Sequence, residues 1–374
     1  MRVIIAGGGT GGHVFPGLAV AEEFKDRNAA TEVVFIGTKS GIESSIVPRE
    51  GYPIRFIRVE GLVGGTLAKK IRSLVKAAVS MVDSYRILKT VKPDIVIGVG
   101  GYASGSVMLV AYLMSIPTMI LEQNSVPGLT NKILGKFVDT VCVTYQESMS
   151  YFAKEKTFLT GNPVRLHICR GNPDEGYRLF SLKKGLFTIF AFGGSSGARS
   201  INKALVDSLQ YLENLKDRIQ FLHQTGVNEY EQVRTSYRER GFQGTIAPFI
   251  HQMGEAYAVA DLVISRAGAT TLAELTALGK PAILIPYPFA AAHHQELNAL
   301  KLQEIGAAKM ILDRELRGET LAAYIRDFVL HDRMRDEMRK ISKSVGRPDA
   351  SSRVVDIAVS MMKQTTSGGA RFAV

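Results

Sequence analysis

Three groups of residues combine types and spacing that can do chemistry. The first is Gly7-Gly8-Gly9-Thr10-Gly11-Gly12-His13, set between the apolar run Val3–Ala6 and an Ala/Leu/Val-rich stretch that Pro16 would open as a first helical residue. Glycine permits positive φ and close approach of another molecule. A helix N-terminus carries about half a positive charge and unbonded N–H groups. Strand, glycine loop and helix start together make an anion site. His13 adjoins it, with a structural imidazole as the alternative.

The second group is Phe190–Ser200, FAFGGSSGARS, where strand, glycine loop and helix start recur and Ser195 and Ser196 add hydroxyl donors. The third is Asp261–Pro288, where Thr271 and Glu274 form T-x-x-E after a Gly-Ala turn. Two readings stand there. One is a capping box closing its own helix. The other is a carboxylate accepting both ribose hydroxyls of a nucleotide, with the helix N-terminus toward the diphosphate.

Other candidates are less specific. Gly98–Ser106 is a further glycine-rich turn, either a phosphate cradle or packing glycines. Glu122 and Asn124 follow a strand, where a buried loop carboxylate is either a general base or a turn-stabilising acceptor. Gly7, Gly9 and Gly12 match the dinucleotide fingerprint, but the second strand ends in Gly37-Thr38-Lys39, with no carboxylate for the ribose of NAD. The adjacent His293 and His294 are poorly spaced for one metal, and no D-x-D is present to hold a metal diphosphate. Arg165, Ser195 and helix dipoles are left to neutralise a leaving group, a charged hydrogen bond adding about 1.5–3 kcal/mol.

The elements that must position these residues read as a parallel α/β arrangement. VIIA, VVFIG, IRFIRV, DIVIGVG, PTMIL, TVCVT and TFLTG form one series of apolar runs, and FTIFAF, IQFLHQ, TIAPFI, DLVIS, PAILIP and AAKMIL a second. Such runs are strands buried on both faces, alternating with helices. Two series imply two doubly wound domains, with ligands off the carboxyl ends of the strands. The break falls at Gly161–Arg165, before a polar stretch. Val107–Leu121 is too short for a membrane span and is broken by Pro117.

Composition sets further bounds. The 374 residues are 46% hydrophobic and carry a net charge of +11, enough for sizeable cores and suggestive of an acidic partner. Basic residues are scattered without interleaved aromatics, which disfavours nucleic acid. Two cysteines, Cys142 and Cys169, fit a reduced setting, and with the chain opening directly on a strand no signal peptide is expected there. Leu67–Tyr85 is amphipathic, with Leu67, Ile71, Leu74, Val75, Ala78, Met81, Val82 and Tyr85 on the face read as packing on the sheet. Lys69, Lys70, Arg72 and Lys76 lie opposite, and the apolar loop with Leu62 and Val63 precedes them. Four cations at about 1 kcal/mol each, with inserted apolar side chains, would hold an anionic membrane surface reversibly.

With these motifs in hand, the chain resembles the MurG family of membrane-associated N-acetylglucosaminyltransferases. The carriers are Gly8–Gly17, Gly100–Gly105, Glu122–Asn131, Gly161–Arg165, Gly193–Arg199, Arg266–Glu274 and His294–Ala299. The resemblance implies a GT-B fold: two Rossmann-like, doubly wound parallel-sheet domains facing a cleft. Residues 1–163 would form the acceptor- and membrane-facing domain, with helix 346–374 packing back on it, and 164–345 the donor domain.

It further implies inverting transfer of GlcNAc from UDP-GlcNAc to the C4 hydroxyl of lipid-linked MurNAc-pentapeptide (lipid I), giving lipid II at the cytoplasmic face of the cell membrane. UDP-GlcNAc is a substrate, and no cofactor or metal is implied. Glu274 would take the ribose and the backbone of Ile250 would flank uracil. Arg165 and Ser195 would hold phosphate. Ala269, Thr270, Thr271, Leu272 and Ala273 would line the diphosphate, and Gln295 the GlcNAc hydroxyls. Thr10, Gly11, Gly12 and Asn124 would reach the sugar. His13 would be the base or hold the attacking hydroxyl, with Glu122 second. Lipid I, an anionic membrane surface and other cell-wall synthesis or division proteins are the implied partners.

The sequence departs from the family's usual residues at Leu121, Ser196 and His293. Two rivals would bind the same nucleotide sugar: a UDP-GlcNAc 2-epimerase of the same fold, and a non-catalytic nucleotide-sugar sensor at the membrane.

Overall fold

The computed structural model describes residues 1–59, 67–194, 197–290 and 293–366, with the side chains of 67–76 and 365–366 left aside. Leu62, Val63 and Ser195 lie outside the described residues. Leu67, Lys69, Lys70, Arg72 and Lys76 are described as helix backbone only. The chain divides into two compact units, Met1–Arg165 joined by Asp349 onward, and Leu166–Pro348.

The first unit carries strands β1 (Arg2–Gly7), β2 (Glu32–Gly37), β3 (Ile54–Phe56), β4 (Ile95–Gly100), β5 (Thr118–Glu122), β6 (Thr140–Val143) and β7 (Thr157–Leu159). They form one parallel sheet in the order β3-β2-β1-β4-β5-β6-β7. Successive residues of β1 serve opposite cores. Val3 and Ile5 pack with Val14 and Leu18, and Ile4 and Ala6 pack with Val107 and Met108. That two-sided burial is why the strands read as unbroken apolar runs. The helices are α1 (Gly11–Arg27), α2 (Glu43–Arg49), α3 (Leu67–Val91), α4 (Tyr102–Leu113) and α5 (Leu129–Leu134).

The second unit repeats the plan. Strands β8 (Phe187–Phe192), β9 (Ile219–Gln224), β10 (Gly244–Ala247), β11 (Leu262–Ser265), β12 (Ala282–Leu284) and β13 (Lys309–Met310) run parallel in the order β10-β9-β8-β11-β12-β13. Its helices are α6 (Leu166–Cys169), α7 (Pro173–Leu179), α8 (Arg199–Ser208), α9 (Tyr230–Glu239), α10 (Met253–Val259), α11 (Ala269–Leu278), α12 (His294–Glu304), α13 (Gly318–Leu330) and α14 (Asp332–Val345). The last helix, α15 (Ala350–Thr366), returns to the first unit and packs on α1. Arg27 fixes it there, through Asp356 Oδ1 at 2.5 Å and the Ser352 carbonyl at 2.9 Å.

Two local expectations are corrected. Helix α1 begins at Gly11, five residues before Pro16, with Thr10 as an extended N-cap. Gly11 and Gly12 are therefore helical rather than loop, and Pro16 sits inside the helix. Helix α3 is turned relative to the expected face. Ser80, Ser84 and Leu88 are buried, whereas Val82 and Tyr85 are 48% and 45% exposed. The Ser80 and Ser106 hydroxyls share a hydrogen bond at 2.6 Å, and Ser84 Oγ donates to the Ser80 carbonyl. Small hydroxyl side chains allow the close approach to α4, and the larger apolar ones are left at the surface.

Candidate active site

In both sheets strand order reverses at the first strand, between β1 and β4 and between β8 and β11. A doubly wound sheet opens its binding crevice at that point. Both glycine loops follow these strands.

In the first unit the loops after β1 and β4 press together. Gly8 N–H donates to the Gly100 carbonyl at 3.3 Å. A Cβ on Gly7 would stand 2.4 Å from Gly100 O, and one on Gly101 would stand 2.5 Å from Gly8 O. Gly100 and Gly101 are thus packing glycines that admit the neighbouring loop. Over Gly100 lies the His13 ring, whose Nε2 would be 2.9 Å from an added Cβ. His13 Nδ1 is 3.0 Å from the Gly8 carbonyl and 3.4 Å from Thr10 Oγ1. A carbonyl only accepts, so Nδ1 carries the hydrogen of the neutral ring and Nε2 is its basic nitrogen.

A residue that sequence reasoning missed ties this loop down from beneath. Glu43, 1% exposed at the start of α2, accepts from Gly9 N–H at 2.7 Å through Oε2. Its Oε1 accepts from the Thr38 N–H and hydroxyl at 2.8 and 2.9 Å. Side chains at Gly8, Gly37 or Gly41 would collide with it. The Gly9 amide therefore turns inward to a carboxylate rather than toward a ligand of this loop. The available signal was an acidic residue closely following the glycines after β2.

Glu122 is likewise an organiser. Oε1 accepts from Asn124 N–H at 2.9 Å and Asn124 Nδ2 at 3.4 Å, and Oε2 from Asn131 Nδ2 at 2.8 Å and Gly128 N–H at 3.2 Å. Burial raises its pKa above the usual value, opposed by these donors. The geometry favours the turn-stabilising reading over the general base. Asn124 is held by the same carboxylate, and its carbonyl accepts from Ser148 Oγ.

Arg165, expected with the donor domain, belongs to the first unit. It is 6% exposed, and its guanidinium carbon lies 4.2 Å from the Phe15 ring centroid on α1. Chain continuity past the Gly-Asn-Pro turn misplaced it, because the stacking partner lies 150 residues earlier in the chain.

In the second unit, α11 starts at Ala269 with Gly268 as its N-cap. Ala269, Thr270, Thr271, Leu272 and Ala273 form its first turns, so Thr271 is not the cap and the capping-box reading fails. Glu274 is 4% exposed and accepts from the Tyr257 hydroxyl at 2.8 Å. Gln224, at the end of β9, bridges two other site segments. Its Nε2 donates to the Gly194 carbonyl at 2.9 Å, and its Oε1 accepts from Ile250 N–H at 2.8 Å. Gln295 lies in the first turn of α12, and its Oε1 accepts from Tyr287 N–H at 3.0 Å. Arg266, also missed, ties the ends of β11 and β12 to α8. It donates to Asp313 Oδ1 at 2.6 Å, the Ile285 carbonyl at 3.2 Å and Ser200 Oγ at 2.8 Å. Among the described residues, no group of three or more His, Cys, Asp or Glu side chains is placed to hold a metal ion, and no helix is long and apolar enough to cross a membrane.

Two parallel-sheet units, each with a glycine loop at its switch point, define the GT-B architecture. The model of the glycosyltransferase family 28 N-terminal domain matches residues 3–143, and that of the family 28 C-terminal domain residues 188–354. The chain is 50% identical over 97% of its length to the whole UDP-N-acetylglucosamine–N-acetylmuramyl-(pentapeptide) pyrophosphoryl-undecaprenol N-acetylglucosamine transferase of Thermodesulfovibrio yellowstonii. The crystal structure of Acinetobacter baumannii MurG superposes with a TM-score of 0.73 at 29% identity, covering 95% of this chain and 98% of that one. A Neisseria meningitidis UDP-GlcNAc 2-epimerase shares the fold, with a TM-score of 0.68 at 13% identity, covering 96% of this chain and 100% of that one. The chain belongs to glycosyltransferase family 28 and, within it, to the MurG family.

Proposed function

We propose that this chain transfers GlcNAc from UDP-GlcNAc to the C4 hydroxyl of MurNAc in lipid I, giving lipid II. The observation that carries the reading is the 50% identity, spread over nearly the whole chain, to a transferase named for that reaction. The bond from the anomeric carbon to the acceptor oxygen forms as the bond to the UDP oxygen breaks. The hydroxyl proton goes to a base, and UDP departs with the negative charge.

His13 is the proposed base. The hydrogen bond from Nδ1 to the Gly8 carbonyl supports this, because it leaves the lone pair on Nε2. In the second unit, Glu274 would accept from the ribose hydroxyls, its rotamer fixed by Tyr257. The α11 N-terminus, with Ala269–Ala273, would face the diphosphate. The Ile250 N–H is engaged by Gln224, so a uracil contact there would use the Ile250 carbonyl. Ser195 would add a phosphate donor, Gln295 would bind GlcNAc hydroxyls, and Thr10, Gly11, Gly12 and Asn124 would reach the sugar. Arg165, stacked on Phe15, would present its charge from the first unit. Residues 1–165 with the last helix would serve the acceptor, and 166–348 the donor.

The acceptor's lipid requires a surface at the cytoplasmic face of the membrane. Exposed apolar residues on α3, at the end of α4, and on and just after α5 support one. Val82, Tyr85, Leu113, Leu129, Ile133 and Phe137 are all exposed, Leu113 by 65% and Leu129 by 75%, with Lys132 and Lys136 beside them. Leu62–Lys76 would continue it.

The test is UDP release from UDP-GlcNAc with and without a short-chain lipid I analogue. Release that depends on the analogue is expected. Formation of UDP-ManNAc from UDP-GlcNAc alone would instead identify an epimerase, and binding without UDP release a sensor.

A further inference from the structure

The Gly9 N–H that Glu43 accepts and the Gly8 carbonyl that meets His13 belong to one peptide group. A trans peptide is planar, and its N–H and C=O point in opposite directions; no cis bond occurs among the described residues. Glu43 Oε2 holds the N–H end at 2.7 Å, and the opposite end is thereby aimed at His13 Nδ1, 3.0 Å away. Both residues of this peptide are glycines at positive φ, 155° for Gly8 and 88° for Gly9. Glycine lets such a plane turn over at little steric cost. Something must choose its direction, and the buried carboxylate does.

We propose that Glu43 is a positioning residue for the transfer reaction, acting on His13 through the Gly8–Gly9 peptide. The proposal rests on His13 as the base. The carboxylate polarises the peptide, so its oxygen becomes a stronger acceptor for the Nδ1 hydrogen, and Nε2 becomes more basic. With the plane reversed, an N–H would face Nδ1. The ring would then carry its hydrogen on Nε2 and could not take the acceptor's proton. Glu43 also holds Thr38 at the end of β2, which anchors the carboxylate against rotation.

Glu43→Gln tests this, because it keeps the volume inside the glycine cage while replacing one oxygen by a donor. Oε1 would serve the two Thr38 donors, and the new amide N–H₂ would face Gly9 and favour the turned-over peptide. Histidine ¹⁵N NMR, with the His13 signals assigned by loss in His13→Gln, should show the Nδ1–H tautomer in the wild type and the Nε2–H tautomer in Glu43→Gln. Turnover should fall roughly tenfold to a hundredfold, with KM for UDP-GlcNAc within about twofold, bounded by what a general base supplies. In a His13→Ala background the same change should add no further loss. A thermal melt checks the fold, and Glu43→Asp, one methylene short of Gly9, replaces the variant if it melts early.

A wild-type ring in the Nε2–H tautomer overturns the proposal. So does a Glu43→Gln protein with unchanged tautomer and turnover, or one whose loss multiplies undiminished in the His13→Ala background. Near-normal turnover of His13→Ala alone would remove the base assignment, and the tautomer measurement would still decide whether Glu43 sets the ring.

Discussion

The Tyr257 hydroxyl and the Glu274 carboxylate meet at 2.8 Å, a phenol on α10 fixing an acid on α11. Tyr257 is fully buried and packs edge-on against Phe190 and Phe192, at 5.6 and 6.1 Å between centroids. The end of β8 and the proposed ribose acceptor are thus set by one ring. Tyr257→Phe keeps the packing and removes the hydrogen bond that fixes the acid, so only part of that bond's worth reaches donor binding. KM for UDP-GlcNAc should rise about threefold to thirtyfold with kcat little changed, and Glu274→Ala should raise it further. Steady-state kinetics with the acceptor saturating decides this.

His13→Ala should lower kcat by roughly 10²–10⁴ while donor affinity holds. Isothermal titration with UDP-GlcNAc beside turnover assays separates the two effects. An equal loss of binding would mean that the imidazole holds substrate rather than moving a proton.

Glu122 accepts four hydrogen bonds from its own loop, so its loss should show first as instability. Glu122→Gln sets an amide donor against the Asn131, Gly128 and Asn124 donors, and should cost about 1–3 kcal/mol. Calorimetry should show a lower Tm. The acid limb of the kcat/KM profile should stay in place, because the group that titrates there is elsewhere. Loss of that limb without loss of Tm would restore Glu122 as the base.

His223 supplies a pH dependence of stability. It is wholly buried, Nε2 meets Asn202 Oδ1 at 3.0 Å and Nδ1 meets the Tyr237 hydroxyl at 3.3 Å, and burial lowers its pKa from 6.5 to about 3. In the unfolded chain it protonates near 6.5. The contribution is therefore complete above pH 6.5 and falls away as pH drops toward 3, reaching about 3 kcal/mol lost by pH 4.5. Tm measured from pH 7.5 to 4.5 should fall, and His223→Gln should flatten the slope.

The exposed face of α3–α5 should bind anionic vesicles. Leu129→Ser with Ile133→Ser removes two of its apolar side chains, and Lys132→Glu with Lys136→Glu reverses its charge. Either pair should reduce cosedimentation with phosphatidylglycerol vesicles severalfold, at about 1 kcal/mol per basic residue lost near the surface, and leave turnover of a short-chain acceptor unchanged. Only the charge pair should lose its effect in high salt.

The sequence by itself determined the strands and the glycine loops that follow them. A run such as Val3–Ala6, apolar at every position, can only be buried on both faces, and a chain of such runs separated by helices folds as parallel sheets. Glycine before a helix likewise marks a place of close approach, and those loops do flank the switch points.

What packs beneath, beside and across those loops was decided only in three dimensions. Arg165 stacks on Phe15, Glu43 reaches Gly9, and α3 turns Val82 and Tyr85 outward because serines pack better against α4. Local periodicity records which residues avoid water. It does not record which distant peptide or ring completes their hydrogen bonds, and in this protein those distant partners aim the chemical groups.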